Sequence, residues 1–253
     1  MNGLTLRDVR VEYGGCAVVS SVDETLSAGE WLCLIGPNGA GKSSLLRALA
    51  GLVNFSGSVQ LDGGEIRGLS ARELARQVAF VPQEPVLPDD MSVTDYVMLG
   101  RNPYISTFGR ESAHDRDIVA GLITELSLAV YARRMLGTLS GGERQRVLLG
   151  RAMAVQAKVM LMDEPIANLD PPHQVDWLEQ VRCLTSQNTT VISVLHEVSM
   201  ALHADNMVVM RAGRVVHQGA CIDEDTHRAV ETVFDRRIAV HSLNGQWVAV
   251  PKL

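Results

Sequence analysis

The chain has 253 residues, 46% of them hydrophobic and 21% charged, enough apolar material for one large domain or two closely packed subdomains. Its formal net charge of −6 argues against sequence-independent nucleic-acid binding through a basic surface. The four cysteines, Cys16, Cys33, Cys183 and Cys221, form neither a CxxC pair nor a Cys/His cluster of zinc spacing, and this usage fits a reducing, cytosolic compartment.

The N-terminal stretch MNGLTLRDVRVEY alternates apolar and polar residues, as a strand does, and lacks the basic-then-apolar layout of a signal peptide. Residues 4–35 read as strands that end in the buried apolar run Trp31–Ile35. A glycine-rich loop, Gly36–Ser43, follows, and Ser43–Leu52 has a helical pattern. Residues 57–62 and 78–82 read as strands, with a helix near 70–77 between them. The stretch 92–137 reads as a mainly helical insertion, because Ser92-Val-Thr-Asp95 and Ser112-Ala-His-Asp115 each have the form of a helix start. A helix is expected over about 143–156 and another over about 172–187. Val159–Met162 and Thr190–Leu195 are near-continuous apolar runs, the pattern of parallel strands buried on both faces. Residues 206–253 read as short strands around a helix near 226–235. Strands alternating with helices imply an α/β doubly wound core. Nowhere does an apolar run approach the roughly 20 residues of a membrane-spanning helix, so action at a membrane would require a partner.

Three segments carry chemistry. GPNGAGKSS, residues 36–44, matches G-x-x-x-x-G-K-[ST] between a strand and a helix. Its glycines let backbone amides approach phosphates, and the following helix points its positive end at the anion. Lys42 reaches the outer phosphates of ATP, and the Ser43 hydroxyl is placed to ligate magnesium. VMLMDEP, residues 159–165, ends a buried strand in two acids at the edge where open α/β sheets bind ligands. Asp163 would hold magnesium and Glu164 would polarise the attacking water. LSGGERQRV, residues 139–147, is a second anion-binding helix start, built from Ser140, Gly141 and Gly142.

With that string the chain resembles the ATP-binding cassette family. The motifs run in the family's order over nearly the whole chain: Tyr13, Gly36–Ser43, Gln83, Ser140–Glu143, Asp163–Glu164, Asn168–Asp170 and His196. The resemblance implies a P-loop NTPase core, a RecA-like parallel sheet with helices, carrying an N-terminal antiparallel β subdomain. It implies one cassette spanning 1–253, with β subdomain and core over about 1–90 and 143–253 and a helical subdomain over about 91–142. It further implies a head-to-tail dimer in which the loop of one copy and the signature of the other clamp each ATP. In that reading Tyr13 stacks on adenine. Gly36, Pro37, Asn38, Gly39, Ala40, Gly41, Lys42, Ser43 and Ser44 hold phosphates, and Ser140, Gly141, Gly142, Glu143 and Asp170 reach the nucleotide across the interface. Ser43, Gln83 and Asp163 surround Mg2+, while Glu164, His196 and Gln83 are catalytic. Three departures stand out: Ile166 where the family often has a hydroxyl, Glu143-Arg144 at the signature's end, and Pro171-Pro172 after Asp170.

Leu99-Gly-Arg-Asn-Pro-Tyr104, with Phe108-Gly-Arg-Glu-Ser-Ala113 and Asp115-Arg116, is similar to LGRxPH…FGRxSxxDR of the branch that imports ferric siderophores, vitamin B12 and haem. The implied partners are a second copy, a polytopic permease and a periplasmic or extracellular binding protein, with the chain peripheral at the cytoplasmic face of the inner membrane and no nucleic acid involved. The FGRxS stretch favours cobalamin or a ferric siderophore over haem. The alternative is a non-transport cassette acting as an assembly or scaffold factor.

Overall fold

The computed structural model describes residues 3–83, 87–106, 108–167 and 169–252. β1 (Gly3–Tyr13) and β2 (Cys16–Ser27) form a hairpin turned by Gly14 and Gly15, whose φ angles of 57° and 81° suit glycine at both turn positions. With β4 (Ser56–Leu61) and the short β5 (Gly64–Glu65) they make an antiparallel sheet of order β2-β1-β4-β5.

The central sheet takes its strands from far apart in the chain. β3 (Trp31–Ile35), β6 (Val78–Val81), β7 (Val159–Asp163), β8 (Thr190–Val194), β9 (Asn206–Arg211) and β10 (Arg214–Ala220) lie in the order β10-β9-β3-β8-β7-β6. Every pairing is parallel except β9 with β10. The apolar runs are continuous because each residue enters one of two cores. Trp31, Cys33 and Ile35 share one core with Met160, Met162, Met207 and Val209. Leu32 and Leu34 share the other with Val159, Leu161, Ile192, Val194, Val208 and Met210. The indole N–H of Trp31 donates to Ser193 Oγ at 2.8 Å, so the buried polar pair is satisfied.

α1 (Lys42–Leu49) fills the second core between the two sheets. α3 (Val93–Met98), α4 (Ala113–Glu125), α5 (Gly141–Ala154) and α6 (Pro171–Ser186) cover the first, and α2 (Ala71–Gln77) precedes β6. α7 (Val198–Ala201) follows β8, and α8 (Glu224–Val233) leads into the hairpin of β11 (Ile238–Leu243) and β12 (Gln246–Pro251). Among the described residues no helix is long and apolar enough to cross a membrane.

The expected boundaries shift for local reasons. α1 stops at Leu49 rather than Leu52 because Gly51 turns out at φ 71°. α5 begins at Gly141, earlier than 143, because Ser140 and Glu143 form a capping box. The 92–137 stretch takes its helix from α3 and α4 and from short 3₁₀ turns that follow each of them. Ser92 and Ser112 do cap their helices. Ile166 is buried in the core, which explains its apolar character.

Candidate nucleotide-binding site

β3 delivers the chain to the carboxyl edge of the parallel strands, where it must turn sharply into α1. Gly36 sits at φ 149°, and a Cβ there would lie 2.0 Å from the carbonyl oxygen of Met210 on β9. Gly41 forms the N-cap of α1 at φ 95°, with Val18 O 2.6 Å from where a Cβ would stand. Neither position accepts another residue without moving backbone. Lys42 is only 5% exposed, and its ammonium donates to Gly36 O at 2.7 Å and Pro37 O at 3.1 Å. Burial pulls its pKa below the ordinary lysine value, against the pull of the Glu164 and Asp163 carboxylates. Among the described residues no side chain caps α1, and the N–H groups of Lys42, Ser43 and Ser44 have no backbone acceptor outside the helix.

Ser43 Oγ donates to Asp163 Oδ1 at 2.9 Å. Asp163 is 1% exposed, and its buried Oδ2 has no hydrogen-bond partner among the described residues. Burial raises its pKa. A hydroxyl beside a buried carboxylate oxygen without a donor is a hard-oxygen pair suited to a divalent cation such as Mg2+. Among the described residues no group of three His, Cys, Asp or Glu side chains could cage a metal, so phosphate and water oxygens would complete its shell.

Glu164 follows at φ 51°, the left-handed region that a non-glycine residue occupies at a cost of about 1–3 kcal/mol. Its N–H donates to Val194 O at 3.0 Å, tying the turn to β8. The turn aims the carboxylate at two residues that leave the neighbouring strands. Gln83, two residues past β6, donates its Nε2 to Glu164 Oε2 at 2.7 Å. His196, two residues past β8, sets its Nε2 2.5 Å from Oε1. The cleft above α1 is lined by Val18, Asn38, Gly39, Ala40, Gly41, Lys42, Ser43, Ser44, Gln83, Glu164 and His196. Val18 is the lining residue the sequence reading missed, since only the packing of β2 against Gly41 and Gly213 brings it there.

Tyr13, Ser140, Gly141, Gly142, Glu143 and Asp170 do not line this cleft. Tyr13 is partly exposed at the end of β1, opposite Cys16. Ser140 N–H donates to Glu143 Oε2 at 2.7 Å, and Glu143 N–H returns to Ser140 Oγ at 3.4 Å. That backbone donor, with the Tyr131 hydroxyl second, holds the Glu143 carboxyl below its ordinary pKa. In this structure Glu143 serves the helix start. Asp170 caps α6, with His173 as its partner, and Pro171-Pro172 stand in the first turn, where proline suits a helix. Asn168 lies outside the described residues.

The LGRNPY stretch also has an internal role. Arg101, 3% exposed, pairs with Asp115 at 2.8 Å and donates to Ala154 O at 2.8 Å. Its guanidinium lies 4.0 Å from the Tyr104 ring, whose hydroxyl donates to Val155 O at 2.9 Å. The segment is thereby fastened to the far end of α5, the helix that Ser140 begins.

The family model of ABC transporters matches residues 19–167, more than half of the chain. The chain belongs to the ABC transporter family. It carries the family's ATP-binding ATPase cassette, in an α/β P-loop core with an antiparallel β sheet beside it. The cobalamin import ATP-binding protein of Halobacterium salinarum is 38% identical over 94% of this chain, which spans 60% of that relative's length. The iron(3+)-hydroxamate import ATP-binding protein of Bacillus subtilis is 33% identical, covering 92% of this chain and 88% of its own. The hemin import ATP-binding protein of Streptomyces coelicolor is 37% identical over 96% and 88%. Among solved structures, an inward-facing ABC transporter of the metal-chelate type superposes with a TM-score of 0.85 at 26% identity, covering 100% of this chain and 98% of its own.

Proposed function

We propose that this chain is the ATP-hydrolysing, energy-coupling subunit of an importer for a metal chelate. The observation that carries the reading is the convergence of Gln83 and His196 on the Glu164 carboxylate, beside Lys42, Ser43 and Asp163. The unclaimed amides of α1 and the Lys42 ammonium bind the phosphates of ATP. Ser43, Asp163 and Gln83 would hold Mg2+, which neutralises charge on the phosphate oxygens. Glu164 takes a hydrogen bond from the attacking water and accepts its proton, while Gln83 and His196 fix the direction of the carboxylate.

In this reading a second copy supplies Ser140, Gly141, Gly142, Glu143 and Asp170, and Tyr13 packs against adenine. The helical subdomain, about 91–142, receives a membrane permease, and a periplasmic or extracellular binding protein delivers the chelate. The chain then sits peripherally at the cytoplasmic face of the membrane. Support for import comes from relatives named for cobalamin, iron hydroxamate and hemin. Their identities of 38%, 33% and 37% do not rank cobalamin or a siderophore above haem, so that preference rests on Phe108–Ser112 alone.

Glu164→Gln keeps the size of the side chain and removes the base. ATP binding, read by calorimetry, should persist while steady-state hydrolysis falls by about 100-fold or more. Hydrolysis by that variant at the parent rate would contradict the assignment.

A further inference from the structure

Glu164 and His196 meet across two separate chain segments, and a second link joins those segments behind them. Gln174, on the second turn of α6, donates its side-chain amide twice. One bond goes to Leu169 O at 3.2 Å, on the segment that leaves Glu164. The other goes to Glu197 Oε1 at 2.9 Å, on the residue after His196. Hydrogen bonds thus link the two segments twice: Glu164 to His196 directly, and Leu169 to Glu197 through Gln174.

The second link matters because Glu164, Leu169, His196 and Glu197 all lie outside helices and strands. Residues 164–167 form a bend and turns after β7, Leu169 lies outside any helix or strand, and residues 195–197 join β8 to α7. α6, by contrast, is anchored in the core through Trp177, Val181 and Leu184. Gln174 therefore projects from a helix anchored in the core and ties Leu169 and Glu197 to it. We infer that Gln174 is a positioning residue for hydrolysis, setting His196 against Glu164 through Glu197. This rests on the reading of Glu164 and His196 as the hydrolytic pair.

The full chain tests it through four variants: Gln174→Ala, Glu197→Ala, the double variant, and Glu197→Gln. The last retains an acceptor oxygen for the Gln174 amide. Loss of orientation lowers kcat without weakening ATP, so each alanine variant should lose about 10-fold in kcat with KM for ATP within about twofold. The double variant should be no slower than the slower single one, because both break the same link. Glu197→Gln should retain parental kcat. Parental turnover in Glu197→Ala, or multiplying losses in the double variant, would overturn the inference. Thermal midpoints separate these results from simple unfolding. Glu164→Gln, measured alongside, keeps the two readings apart: if it is inactive while Glu197→Ala is fully active, only the positioning role fails.

Discussion

The starts of α1 and α5 make an instructive pair. Both follow a glycine-containing turn and both point toward ligand in the functional reading. Yet α5 closes on itself, with Ser140 and Glu143 exchanging backbone and side-chain bonds, and α2 and α4 do the same through Ser70/Glu73 and Ser112/Asp115. α1 has Gly41 in a left-handed conformation at that position and no side-chain cap among the described residues. A capping box is worth about 1 kcal/mol to a helix. At α1 that stabilisation is absent, and the amides it would have used are free for phosphate. The signature helix is thus a stable, preformed surface, whereas in the functional reading the start of α1 takes its partners from ATP.

The largest break in this comparison comes from Lys42→Ala. The ammonium now satisfies the Gly36 and Pro37 carbonyls and would turn to the phosphates of ATP. Removing a charge-assisted partner of this kind should weaken ATP by about 100-fold, measurable by calorimetry. Undiminished affinity would mean that the amides alone hold the nucleotide.

A smaller effect sharpens the other side. The Ser112 hydroxyl, and after it the Arg101 guanidinium, hold Asp115 at about 2, below its ordinary 3.8. A carboxylate whose folded pKa is depressed stabilises the fold fully above its unfolded value and ceases to do so as pH falls through the folded one. The urea midpoint of Asp115→Asn should therefore lie below that of the parent at pH 6, and the gap should narrow as pH drops from about 4 toward about 2. A gap constant across that window would assign the loss to packing rather than charge.

Much of this is legible in the sequence, but unevenly. The runs Trp31–Ile35, Val159–Met162 and Thr190–Leu195 announce strands buried on both faces, and they form the middle of the sheet. The Gly36–Ser43 spacing announces its own turn and helix. The seat of β9 between β3 and β10 was not legible, because pairing across some 170 residues leaves no local trace. Nor was the 2.7 Å contact from Gln83 to Glu164, set by the order of β6 and β7 in the sheet. Arg101 stands in the stretch that resembles the importer branch, and its buried bond to Asp115 emerges only when the turn after α3 packs against the start of α4. Gln174 carries no sequence signal, since a glutamine on a helix is ordinary until its two acceptors are known.

The central claim is that the open start of α1 is completed by the capped start of α5 on another copy. The direct measurement is the molar mass, by light scattering, of Glu164→Gln with and without saturating Mg-ATP. The expected result is a monomer near 27.5 kDa without nucleotide and twice that mass with it. A particle that binds ATP yet stays at monomer mass would contradict the account.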